Sequence, residues 1–120
     1  MSIKAIRGAI CLQADTGEEM SGAVVELLTE ILERNSLTGE DLISVLFTAT
    51  PDIHSAFPAS FAREIGLTDV PLICAQELDI TGALPLVIRV MAHAQTSAAK
   101  SEIKHVYLRG AEVLRQDIAQ

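Results

Sequence analysis

The chain has 120 residues, 49% of them hydrophobic, no Trp and a formal net charge of −7. That length makes one domain, residues 1–120, with an aliphatic core, and the acidity sets aside a binder that works by neutralising nucleic-acid phosphates. Mean hydropathy is +0.34, high for so short a chain, and the apolar excess points to a subunit interface.

Residues 3–12, "IKAIRGAICL", read as a strand. Ile3, Ala5, Arg7, Ala9 and Cys11 share one side; Ile6, Ile10 and Leu12 share the other. Both sides are apolar, so the strand is expected to be central and covered on both faces. "TGEE" then carries a capping-box signature, Thr16 with Glu19. Met20, Ala23, Val24, Leu27, Leu28, Ile31 and Leu32 follow at helical spacing, with Glu18, Glu26, Glu30 and Glu33 off that stripe. This predicts an amphipathic helix of about five turns ending near Asn35.

"LTGEDL" is a loop or short helical turn, and 42–50 a second strand stopped by Pro51. Residues 55–66 predict a short helix with Gly66 as its stop. Strands are expected at 70–78, 86–94 and 105–110, with Gly82 and Pro85 breaking the chain between the first two and a polar loop at 96–102. The last ten residues read as a turn and a tail. The sum is an α+β or α/β sheet with helices on one face. One long helix cannot shield both faces of five strands, a second argument for an oligomer.

No run reaches the roughly 18 apolar residues of a membrane span. "MSIKAIRGAI" lacks a basic region followed by an unbroken apolar one. Cys11 and Cys74 form no CxxC or metal spacing. The expected address is the cytoplasm, with reduced thiols.

The informative feature is polar residues inside apolar runs: Arg7 in "AIRGAI", Cys74 and Glu77 in "ICAQEL", Arg89 in "LVIRVMA". Six of the nine basic residues are Arg, whose planar fork of donors suits carboxylate or phosphate. From the residues alone, Arg89 is equally a structural ion pair, with Glu77 as a candidate partner. Arg7 equally pairs across a subunit interface. Cys74 alone is more often a small buried hydrophobe than a nucleophile, and Tyr107, the lone Tyr, equally reads as a seal on the core with its hydroxyl at the edge. His54, His93 and His105 form no metal spacing, and no Ser-His-Asp order or phosphate loop stands out. The equipment is for binding and polarising a small anion.

Four blocks carry a further signal: "IRGA", "TATPDIHSAFPASFARE", "VPLICAQELDITGALPLVIRVM" and "HVYLRGAEVLRQD". In order and spacing they resemble the small monofunctional chorismate mutases of the AroH class, from about residue 3 to 118. The resemblance implies an α+β fold, a mixed five-stranded sheet with one long helix and short helices on one face. It implies a homotrimer whose inward sheets form a pseudo-α/β barrel, with active sites between neighbouring subunits. The implied reaction is the Claisen rearrangement of chorismate to prephenate, towards phenylalanine and tyrosine, with no cofactor, metal or covalent intermediate. No nucleic-acid or membrane partner is implied.

Residue by residue, the resemblance makes Arg89 the donor to the ether oxygen of the breaking bond. Arg7 and Tyr107 match contacts to substrate carboxylate, and Glu77 and Cys74 the pair near the ring hydroxyl. Phe57, Ala59 and Arg63 match positions that a neighbouring subunit presents at the cleft mouth, and Leu114 and Arg115 match the segment bordering the site. Ile73 stands where some members have Thr, and Ser60 where many have Lys; both departures touch the mouth of the site. Three rivals remain open: a trimeric imine deaminase sharing the overall fold, whose own motif blocks are not seen; a non-catalytic trimer holding a metabolite with Arg7, Arg63 and Arg89; and a structural protein whose charges merely pair at the interface.

Overall fold

The computed structural model of the chain describes residues 1–115. Five strands, β1 (Ser2–Cys11), β2 (Leu42–Ala49), β3 (Leu72–Gln76), β4 (Val87–Thr96) and β5 (Val106–Leu108), form one sheet in the order β3-β2-β4-β1-β5. β1 and β2 flank β4 antiparallel, whereas the edge strands β3 and β5 run parallel to β2 and β1. The sheet is mixed. As expected, β1 is an interior strand, paired along its whole length with β4 and on its other side with the three-residue β5, while the middle position belongs to β4, which also pairs with most of β2.

Helix α1 (Gly17–Arg34) lies on one face of this sheet, and the shorter α2 (Pro58–Glu64) packs on the same side near β3. The stripe Met20, Ala23, Val24, Leu27, Leu28 and Ile31 is buried against Ile6, Ile10, Val45, Phe47, Ile88 and Val90. Gly8 lets the helix come this close. A Cβ there would stand 2.9 Å from Ile31 Cδ1, 3.1 Å from Leu27 Cδ1 and 3.2 Å from the Val106 carbonyl oxygen.

Half of the expected capping box forms. The Thr16 hydroxyl accepts from the Glu19 amide at 3.1 Å, but the Glu19 carboxylate reaches back to the Gln13 amide because the Thr16 amide already bonds the Ala14 carbonyl. At the other end the Ser36 amide bonds the Glu33 carbonyl and the Leu37 amide bonds the Leu32 carbonyl, closing the helix with Ser36 at φ 54°. Helix α2 begins at Pro58, three residues later than the apolar spacing suggests. Proline is well suited to the first helical turn, and the preceding amides of His54 and Ser55 are held by the Asp15 carboxylate at 2.8 and 3.1 Å. Gly66, at φ 101°, ends α2 as expected.

The loop between β3 and β4 is fastened at its far end. Asp52 accepts from the Leu86 amide and from the Thr50 hydroxyl, while the Thr50 amide donates to the Val87 carbonyl and the Val87 amide donates to the Thr50 hydroxyl oxygen. These bonds hold Leu86 at φ 52°, a strained value for a branched side chain. No helix among the described residues is long and apolar enough to cross a membrane. Both cysteines are free.

Candidate active site

Alternation sends the odd-numbered residues of β4 away from the helices. Register then lines up a transverse row on that open face: Ala75, Thr48, Arg89, Ala9 and Tyr107, from β3 to β5. The adjacent row is Ile73, Leu46, Met91 and Arg7. Arg7 and Arg89 are thus diagonal neighbours, about 7 to 8 Å apart at Cα by sheet geometry. Together with Gly8, Leu46, Thr48 and Met91 they line a cavity of about 170 Å³. Arg89 also borders a second cavity, of about 310 Å³, with Thr50, Asp52, Glu77, Asp79 and Leu84. The guanidinium stands between the two.

Glu77 follows β3 directly, its amide bonded to the Ala49 carbonyl at 3.0 Å. That bond continues the β3–β2 ladder by one residue and turns the Glu77 side chain to the open face. Its Oε2 accepts the Thr48 hydroxyl at 2.6 Å and lies 3.0 Å from Arg89 Nε. The ion pair that the sequence suggested is therefore present. Its geometry is incomplete, however: the buried Nε–H is not aimed at the oxygen and has no hydrogen-bond partner among the described residues. The contact is Coulombic, and a buried donor is left over.

Tyr107 is the second buried orphan. It is 1% exposed among Ala9, Val87 and Ala111, with Leu114 packed alongside, and its hydroxyl has no hydrogen-bond partner among the described residues. The expectation of a wet hydroxyl at the edge of the core is corrected here. Register places Tyr107 two strands from Arg89, with the small Ala9 of β1 between them. Next to it, His105 Nδ1 accepts the Arg7 amide at 2.9 Å. Burial first, then the charges of Arg7 and Arg115, push the His105 pKa below its ordinary value.

The remaining predicted residues are placed elsewhere. Cys74 pairs in register with Phe47, so its side chain leaves the helix face, opposite to Glu77. It lines a cavity of about 500 Å³ with His54, Ser55, Phe57, Ser60 and Gln76. Phe57 is 72% exposed at that cavity. Ala59 is buried in the core under α2, and Arg63 is exposed on its last turn. Ile73 is exposed on the open face; Arg115 is half-buried near His105. A single chain therefore brings together Arg7, Arg89, Glu77, Tyr107 and Leu114, and holds Cys74 and Phe57 apart from them. Thr48, Asp52, Asp15 and His105 escaped the sequence reading. Only Thr48 had a usable signal, its place in the alternation of "VLFTA" beside the apolar core positions.

Fold and site together define a small α+β protein with an arginine-lined sheet face. The family model for chorismate mutase type I matches residues 3–118, and the chain belongs to that family. It is 44% identical to chorismate mutase AroH of Bacillus subtilis (strain 168), over 99% of this chain and 94% of that one. It is 46% identical to chorismate mutase AroH of Thermus thermophilus, over 97% and 96%. The solved structure of a chorismate mutase from Clostridium thermocellum superimposes with a TM-score of 0.90 at 45% identity, over 92% of this chain and 98% of that one.

Proposed function

We propose that the chain is a chorismate mutase, an isomerase that rearranges chorismate to prephenate in the synthesis of phenylalanine and tyrosine, in the cytoplasm. The observation that carries this reading is Arg89: a guanidinium among apolar side chains, paired with Glu77 yet with its buried Nε–H unsatisfied. A buried donor without a partner costs about 1 to 3 kcal/mol, and a ligand oxygen would remove that cost.

The rearrangement is intramolecular. It needs a flexible dianion held in its folded, near-reactive conformer, which oriented binding favours. Arg7 and the unsatisfied Tyr107 hydroxyl supply donors for a carboxylate. Negative charge grows on the ether oxygen as the C–O bond breaks. Arg89 stabilises it more in the transition state than in the ground state, which is the condition for a gain in rate. Glu77 accepts from the ring hydroxyl. No proton leaves the substrate for good, so a titrating acid or base is not required.

The site is completed by a second copy. Cys74 and Glu77 leave opposite faces of one chain, so a ligand that meets both side chains takes Cys74 from a neighbour. Phe57 and Ser60 line the same cavity as Cys74 and arrive with it, as does Arg63 from α2. The exposed Ile3, Leu46 and Ile73 on the sheet face favour a homotrimer that covers them.

The test is the loss of chorismate absorbance on adding purified protein, with Arg89→Ala alongside. Rapid conversion to prephenate is expected, with kcat at least about a hundredfold lower in the variant, in line with one preorganised donor worth about 3 to 4 kcal/mol. Conversion at the spontaneous rate by folded protein would overturn the reading.

A further inference from the structure

Thr48 has no part in the mechanism just described, yet its hydroxyl makes the shortest hydrogen bond to the Glu77 carboxylate, at 2.6 Å. Thr48 is the register partner of Arg89, so the two side chains stand next to each other on adjacent strands. The oxygen that takes the Thr48 proton is also the one 3.0 Å from Arg89 Nε. The recorded contact between Glu77 and Arg89 is at Nε and not at the Nη nitrogens.

That arrangement is unusual for an arginine–carboxylate pair. Such pairs commonly close as a fork, with two parallel N–H donors on two oxygens. Here the contact is a single one, from one oxygen of Glu77 to the Nε corner, and not a fork across the guanidinium. We propose that Thr48 is a positioning residue: by holding one oxygen of Glu77 it keeps the carboxylate from closing on the Nη pair, and so keeps those donors available to the substrate. The inference rests on the mutase reading for its consequence in catalysis, but its geometric core stands without it.

The chemistry is specific to the hydroxyl. Valine matches threonine in shape but cannot donate; serine donates without the methyl group. In Thr48→Val, Glu77 loses its neutral donor, and the strongest partner left within reach is the guanidinium. A forked pair then competes with the ligand for the same N–H groups.

Two measurements test this. The first is a crystal structure of ligand-free Thr48→Val, compared with the parent protein determined in the same way. The expected result is a Glu77 carboxylate swung onto the Arg89 Nη nitrogens; a carboxylate that stays at Nε overturns the proposal. The second is steady-state turnover of chorismate by Thr48→Val and Thr48→Ser. The loss of a hydrogen bond to a charged group predicts a roughly tenfold to hundredfold lower kcat/KM in the valine variant. The serine variant is expected to stay within about threefold of the parent by the same reasoning. Equal losses in both would mark a packing role, and no loss in the valine variant would mean that the hydroxyl is idle; either overturns the proposal. If Thr48→Val does not fold, Thr48→Ala takes its place under the same criteria. A parent protein inert towards chorismate would sink the mutase reading alone, and the crystal structure would still decide the role of Thr48.

Discussion

Arg89 and Tyr107, the proposed donors to the substrate, each carry a buried polar atom that the fold leaves unpaired among the described residues. Buried polar atoms in folded proteins are nearly always paired, and these two carry the buried side-chain donors left without partners among the described residues. Tyr107→Phe therefore has opposite effects on folding and on binding. Removing an unsatisfied hydroxyl leaves stability unchanged or raised by about 1 kcal/mol, seen as an equal or higher urea midpoint, while KM for chorismate rises. A lower midpoint would show that the hydroxyl is paired in the unliganded protein. His105 supplies a pH dependence. Its pKa is below the ordinary 6.5, so the folded chain resists a proton that the unfolded chain accepts. Its contribution is fully present above 6.5 and is lost as pH falls from there through the folded value. Urea midpoints measured from pH 7.5 down to 5 should fall less steeply in His105→Asn, which keeps an acceptor for the Arg7 amide.

At the scale of elements, the meeting of α1 with β1 sets the geometry of the open face behind it. Gly8 lies between Arg7 and Ala9, and its missing Cβ is what Leu27 and Ile31 pack over. Gly8→Ala pushes on the tips of two helix side chains and, less forgivingly, on the backbone oxygen of Val106 in β5. Overpacking of this kind costs about 1 to 3 kcal/mol, and calorimetry should register it as a lower Tm. Because β5 carries Tyr107, the same change should raise KM for chorismate even where the protein is fully folded. An unaltered Tm would mean that α1 moves off the sheet without penalty. The amphipathic stripe of α1 was legible in the sequence because side chains three and four apart share a face. The start of α2 was not, because Asp15, some forty residues earlier, ties up the amides that would have extended it.

At the scale of the molecule, both helices lie on one side of the sheet and Ile3, Leu46 and Ile73 remain exposed on the other. Leu46 and Ile73 are register partners on β2 and β3, in the row next to Arg89. A trimer that buries this row joins the halves of the site at the same time. Leu46→Glu is then expected to yield monomers by analytical ultracentrifugation and to abolish turnover, while the far-ultraviolet circular dichroism of the chain persists. A trimer that survives the charge would place the interface elsewhere.

The sequence by itself determined the elements, their apolar faces and the identity of the intruding charges, since alternation and helical spacing are local consequences of backbone geometry. It also held the Arg89–Glu77 pair as one of two readings. Register and strand order decided the rest. They made β4 the central strand, set Arg7 diagonal to Arg89, put Tyr107 two strands away with its hydroxyl buried, and sent Cys74 to the face opposite Glu77. None of this is local. Cys74 and Glu77 are three positions apart along the chain, an odd step that reverses the face of an extended strand, and which neighbour each face meets depends on a sheet assembled from segments as far apart as Ser2 and Leu108.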